Sequence, residues 1–229
     1  MKRNVRLLAI VFGVLFTAVA AVMLSPLAAS AVTTLVYDDT LKDIQQTANH
    51  PCVIGSNSCG GQQTLPFTTA PAGGSANVDL TSPTYTVGQL ETTVGSNAMN
   101  LLIDVNQSCG TAVNCPITLD KVEVFVAGAL QFVFNGPQLV PLAGSLQGNG
   151  FSDAGLKTID LTPFATNLTV TFHIVWSSNS DGAESFFLAS TTALPGPEPS
   201  SLLLLGSGLV GVGLWARRSC MSKFMRTKA

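Results

Sequence analysis

Residues 167–176 constrain the fold more than any other part of the chain, because two classes of side chain alternate along them. Apolar side chains occupy every second position: Leu168, Val170, Phe172, Ile174 and Trp176. The positions between them hold Thr169, Thr171, His173 and Val175. A period of two residues is typical of a strand with one buried face. We therefore expect a strand here, with Trp176 buried and His173 on the polar face.

Residues 116–126 repeat this alternation, but its phase changes near Asp120 and Lys121, which predicts a β-bulge. Seven further stretches are strand candidates: residues 33–37, 76–80, 84–93, 99–105, 130–134, 156–161 and 184–190. Turn residues separate the candidates, for example at 135–137. Residues 45–72 predict a long loop, and no helical period is sustained. This pattern predicts an all-β domain over residues 32–194, either an antiparallel β-sandwich or a jelly roll.

The start of the chain has the organisation of a secretory signal. Three basic residues, Lys2, Arg3 and Arg6, precede an apolar run over residues 7–24. Pro26 then breaks any helix, and the small residues Ala29 and Ala31 stand at the −3 and −1 positions of a cleavage site. We expect residues 1–31 to be a signal peptide that signal peptidase removes. The alternative is an uncleaved anchor, since the apolar run approaches membrane-spanning length.

The other end predicts a single transmembrane helix. Residues 200–216 are apolar and include four glycines, and Arg217 and Arg218 follow them directly. Basic residues flanking a span stay on the cytoplasmic side, which places the short basic tail, residues 219–229, in the cytoplasm and residues 32–194 outside it. The alternative is a plain C-terminal anchor that is never processed.

Pro197, Glu198 and Pro199, the short Leu/Gly-rich helix and the pair Arg217–Arg218 together resemble the PEP-CTERM sorting signal of Gram-negative bacteria. The resemblance covers residues 195–218. It implies that exosortase, a membrane protease-like enzyme, recognises the motif and processes the chain near it. It also implies an exported protein, first anchored in the inner membrane and then associated with the envelope or an extracellular exopolysaccharide and biofilm matrix.

Charge excludes one class of partner for the middle of the chain. Residues 32–194 contain three lysines, no arginine and twelve acidic residues, so this segment is strongly negative. Nucleic-acid binding requires clustered basic side chains against phosphate. We therefore expect no nucleic-acid partner.

The cysteines suit an oxidising compartment. Cys52 with Cys59 and Cys109 with Cys115 each enclose a short loop, which predicts two local disulfides. Each would add about 2 kcal/mol of stability in the chain-entropy model. The alternative for the first pair is a metal site made of His50, Cys52 and Cys59, although no fourth ligand is evident.

Familiar catalytic motifs are missing from the sequence. It contains no nucleophile elbow, phosphate loop, dinucleotide fingerprint or zinc-protease helix. The acid pairs Asp120 with Glu123 and Asp181 with Glu184 could serve a glycosidase only in a specific geometry. Asp104 opens a stretch of alternating oxygen side chains, which leaves weak Ca²⁺ binding as an alternative to having no cofactor.

We therefore predict a non-enzymatic, exported protein that acts as a structural or interaction component of the envelope or biofilm matrix, with exopolysaccharide as a candidate partner. A secreted carbohydrate-binding module is the main alternative, and it would need exposed aromatic rings among Tyr37, Tyr85 and Trp176. A secreted hydrolase is a weaker one.

Overall fold

The computed structural model describes residues 31–57, 59, 65–73, 77–107, 116–141, 150–178 and 182–193. In these ranges the chain forms twelve strands and one helix. In chain order they are β1 Thr33–Thr34, β2 Val36–Asp38, β3 Cys52–Gly55, β4 Thr68–Thr69, β5 Asn77–Thr81, β6 Tyr85–Thr86, α1 Val87–Val94, β7 Ala98–Asp104, β8 Ile117–Val126, β9 Ala129–Val140, β10 Ala154–Asp160, β11 Thr169–Ser177 and β12 Ser185–Ser190.

The strands form two sheets. Sheet A has the order β1-β9-β8-β11-β5, with β6 also paired to β11, and sheet B has the order β2-β10-β7-β12-β3-β4. The pairs β1–β9 and β3–β4, which end the two sheets, are parallel, and the other pairs are antiparallel. The sheets pack face to face, since the rings of Trp176 on β11 and Phe186 on β12 lie 5.0 Å apart. The predicted all-β class is confirmed, and the jelly-roll topology stays a prediction.

The two strands with the clearest alternation form as predicted. On β11 the odd-numbered side chains lie on the outer face, whereas Trp176 is fully buried. The register between β8 and β9 shifts between Leu119 and Lys121, where the bulge was predicted. Gly136 lies opposite, and a Cβ atom there would overlap the backbone oxygen of Leu119. The predicted turn at residues 135–137 is wrong, because β9 continues through it to Val140.

The predicted strand over residues 84–93 is also wrong. Only Tyr85–Thr86 is a strand, and Val87–Val94 is a helix. Thr86 caps this helix: its side chain accepts a hydrogen bond from the Gln89 amide, and the Gln89 side chain accepts one from the Thr86 amide. Gly95 ends the helix in the left-handed conformation, with φ of 74°.

Residues 45–72 are not all loop, since they contain β3 and β4. The outer face of sheet B is covered by a second apolar cluster, whose buried members are Ile44, Cys52, Cys59, Leu102, Phe187 and Ala189. Sheet B is thus buried on both faces here, so its strands need apolar residues at successive positions and lose the alternation that marks a strand in the sequence. The outer face of sheet A is polar by contrast, and it carries His173.

Candidate functional site

Most of the site residues and terminal segments predicted from the sequence lie outside the described residues. These are Ala29 of the cleavage site, the disulfide pair Cys109–Cys115, the motif residues Pro197, Glu198, Pro199, Arg217 and Arg218, the helix 200–216 and the tail 219–229. In the ranges that are described, no helix combines the length and apolar composition needed to cross a membrane.

Ala31 is described and exposed. After it the chain forms β1 at the edge of sheet A, buries Leu35 in the core and forms β2 at the edge of sheet B. Cleavage after Ala31 would therefore leave both edge strands intact, with Val32 as the one residue before β1.

Cys52 and Cys59 form the predicted disulfide, with Cα atoms 6.0 Å apart. Both are buried in the cluster outside sheet B. Gly55 makes this possible, because a Cβ atom there would overlap the Cys59 sulfur. The Nδ1 atom of His50 lies 2.6 Å from the backbone oxygen of Gln45. This disulfide does not fit the alternative metal site at His50, Cys52 and Cys59, since sulfurs in a disulfide are not thiolate ligands.

Three buried carboxylates lie at one end of sheet B and accept backbone hydrogen bonds. Asp104 accepts from the Gly150 amide at 2.9 Å, Asp153 accepts from the amide of Val105 at 2.7 Å, and Glu184 accepts from the amide of Asn106 at 2.6 Å. Burial raises the pKa of Asp104 to about 6, although hydrogen bonds from Gly150 and Asn106 act in the opposite direction. These contacts satisfy backbone donors where strands end.

The described part of the chain does not assemble a metal cluster from the candidate Ca²⁺ residues. There, no group of three or more His, Cys, Asp or Glu side chains is arranged to hold a metal ion. Asp38 pairs with Lys157 and accepts hydrogen bonds from Thr40, and together these contacts lower its pKa to about 2. Weak Ca²⁺ binding stays a prediction, to be tested on the whole chain.

A connected group of four titratable side chains lies on the outer face of sheet A. His173 on β11 contacts a carboxylate on each neighbouring strand: Nδ1 is 2.8 Å from Oε2 of Glu123 on β8, and Nε2 is 2.6 Å from Oδ1 of Asp79 on β5. The other oxygen of Glu123 lies 2.7 Å from Nζ of Lys121. We call these four residues the His173 network. It crosses three adjacent strands.

The network favours the charged form of each partner. Desolvation lowers the pKa of His173, but the hydrogen bonds and charges of Glu123 and Asp79 outweigh it, so the pKa lies above its usual value. Hydrogen bonds from Lys121 and then His173 hold the pKa of Glu123 below its usual value. With the ring protonated, two cations face two carboxylates.

This geometry does not suit acid–base catalysis. A general base needs an unprotonated ring nitrogen facing a substrate proton, but both nitrogens of His173 face carboxylates. Glu123 is held ionised between Lys121 and His173, so it is a poor general acid, and Asp120 lies one residue before Lys121 at the bulge. The acid pair Asp181 with Glu184 is only half described, since Asp181 lies outside the described residues.

The three rings on which the carbohydrate-binding alternative depends, Tyr37, Tyr85 and Trp176, do not form a stacking platform. Tyr85 is buried, its hydroxyl donates to the Pro66 backbone oxygen at 2.8 Å, and its ring contacts Phe172 edge to face. Trp176 is fully buried, and Tyr37 packs against the core. Tyr85 is thus a core residue, contrary to the role that the carbohydrate-binding alternative gave it.

Sequence reasoning placed His173 on the outer face but missed its partners. The alternation along the strand shows which face the His173 side chain lies on. Its contact with Asp79 depends instead on the pairing of β5 with β11 across about 90 residues of chain, which no local pattern encodes. The burial of Asp104, Asp153 and Glu184 and their contacts with distant backbone amides were missed for the same reason.

Comparison with known proteins bears on the C-terminal end of the chain. The family model of the PEP-CTERM protein-sorting motif matches residues 197–218. That match begins at Pro197 and ends at Arg218, the first and last residues of the motif described above. No curated protein and no solved structure matches the chain.

Proposed function

We propose that this chain, which carries a PEP-CTERM protein-sorting motif, is a non-catalytic component of the cell envelope or biofilm matrix. The motif at residues 197–218 is the observation that carries the proposal. It supports export, an anchored precursor and exosortase as the processing partner. The scheme is a signal peptide over residues 1–31, an exported domain over 32–194, a sorting signal over 195–218 with its helix at 200–216, and a cytoplasmic tail over 219–229.

The described domain supports a structural or interaction role. It is a two-sheet fold with a buried disulfide between Cys52 and Cys59 beside sheet B, a bond that persists in oxidising compartments. The His173 network joins three strands of sheet A and has both ring nitrogens of His173 facing carboxylates. A resident cofactor is not part of the proposal. The alternative of a secreted hydrolase has less support, because the ion pairs of Glu123 with Lys121 and His173 hold its carboxylate in the ionised form.

The test is intact mass spectrometry of the protein recovered separately from the membrane and culture medium of its own cells. We expect the released species to start near Val32 and to end near Pro195–Pro199. The motif variant Glu198→Gln should accumulate in the membrane fraction with residues 217–229 retained. Glu91→Gln is the matched control, because it makes the same change on α1 and should be processed normally.

Retention of residues 217–229 in every fraction of the wild type would refute processing by exosortase, leaving a plain tail anchor. Turnover in a panel of glycosides and esters, lost on changing Glu123 to Gln, would refute the non-catalytic role instead. The two outcomes are independent, so the sorting and the molecular role can fail separately.

A further inference from the structure

His173 lies on β11, the strand next to the end of sheet A, and contacts strands on both of its sides. Strand β11 runs between β8 and β5, and β5 ends this path of the sheet. The contact between Nε2 and Asp79 is therefore a side-chain link from the edge strand to the sheet, in addition to the backbone ladder. On the other side of β5, the Thr68 hydroxyl donates to the Thr81 backbone oxygen at 2.8 Å.

The protonation state of the ring decides whether both links can exist. A protonated imidazole donates from both nitrogens, whereas a neutral one has one N–H and one lone pair. A lone pair facing a carboxylate is repulsive. Glu123 keeps Lys121 as a second cation, but among the described residues His173 is the one cation within ion-pair distance of Asp79. Loss of the proton therefore weakens the Asp79 side most.

We propose that His173 is a proton-dependent clamp that holds the edge strand β5 against β11, and that β5 loosens when the ring becomes neutral. The charged groups that face the ring are Asp79 from β5 and Glu123 from β8, with Lys121 behind Glu123. On β9 the residues paired with Glu123 and Lys121 are Val133 and Asn135, which are uncharged.

The direction of the pH dependence follows from the two carboxylates. They hold the pKa of His173 above its value in the unfolded chain, which is about 6.5. The clamp is therefore complete below about pH 6.5 and is lost as pH rises through the folded value. Strand β5 is therefore expected to loosen at neutral and alkaline pH. This loosening would expose backbone hydrogen-bonding groups of β11, which could then pair with another strand.

Hydrogen exchange of the full-length chain in detergent micelles at pH 6.0 and pH 8.5 tests the clamp. After correction for intrinsic rates, we expect the protection of the β5 amides to fall about threefold to tenfold at the higher pH, clearly more than that of the β12 amides. In His173→Asn, β5 should be weakly protected at both pH values. His50→Asn alters the other histidine of the chain and should keep the wild-type response.

Asp79→Asn keeps the test decisive if His173→Asn fails to fold. The Asp79 side chain is 71% exposed, so the substitution should preserve the fold, abolish the pH response of β5 and lower the His173 pKa measured from its ring carbon-bound protons by NMR. An equal fall in β5 and β12, or a wild-type response in Asp79→Asn, would overturn the proposal. The inference concerns the fold alone, so failure of exosortase processing leaves it standing.

Discussion

Asp104 is a buried carboxylate whose ionisation is expected to affect the stability of the domain. It lies at the end of β7, is 3% exposed, and has a pKa raised to about 6, mainly by burial. The folded state therefore prefers the protonated acid more than the unfolded chain does. Its contribution to stability is greatest below about pH 4 and is lost as pH rises through about 6.

We predict that Asp104→Asn removes this dependence. The amide cannot ionise and can still accept the hydrogen bond from Gly150, so the variant should gain on the order of 2 kcal/mol relative to wild type between pH 4 and pH 8. Urea unfolding at the two pH values measures it. Asp160→Asn is the control with the opposite sign: hydrogen bonds from Thr162 lower the pKa of Asp160, so this variant should lose stability slightly at pH 8. Parallel behaviour of the two variants would contradict the prediction.

At the scale of elements, α1 is a helix that its ends determine. The segment is rich in Thr and Val, which favour strands. The capping box of Thr86 with Gln89, the buried positions Val87, Leu90 and Val94, and Gly95 after the last turn all favour a helix instead. These end signals are present in the sequence, and they outweigh the strand propensity of the residues between them.

We predict that Thr86→Ala destabilises the domain by about 1 kcal/mol through loss of the cap. Gly95→Ala should destabilise it by a similar amount, because φ is 74° at this position. An added Cβ atom would meet no neighbour, so the cost comes from the backbone conformation alone. Thr92→Ala, an exposed change within the same helix, should be neutral or slightly stabilising, since Ala has the higher helix propensity. Denaturant midpoints measure all three. Equal losses in Thr86→Ala and Thr92→Ala would rule out the cap as the cause.

The comparison of elements also shows which of them a sequence can predict. β11 was recognised because one of its faces is buried and the other meets solvent, so apolar and polar residues alternate along its sequence. β3 was missed because both sheet faces are covered there, and the four residues Cys52–Gly55 are all buried. Gly136 was mistaken for a turn residue because the need for glycine there comes from the close approach of the bulge on the neighbouring strand β8. The features that could not be predicted from the sequence are those that depend on contacts between distant segments.

At the scale of the whole molecule, negative charge selects among partners. Of the three lysines in residues 32–194, Lys121 and Lys157 are held in ion pairs with Glu123 and Asp38, which leaves Lys42. A surface with so few available cations repels an acidic polymer at distances up to the Debye length, about 8 Å at physiological ionic strength. Buried Tyr85 and Trp176 also remove the aromatic stacking that sugar-binding modules use.

We therefore predict that a polysaccharide partner, if it binds the exported domain directly, is neutral or basic. In co-sedimentation at low salt with EDTA, the processed protein should bind a polyglucosamine more strongly than a polyuronate, and added salt should weaken that binding because screening reduces the attraction between opposite charges. Binding to the polyuronate only when Ca²⁺ replaces EDTA would identify a cation bridge and would revive the weak Ca²⁺ site. Strong binding to the polyuronate in EDTA would contradict the charge argument, because nothing in the described domain supplies the positive surface that such binding requires.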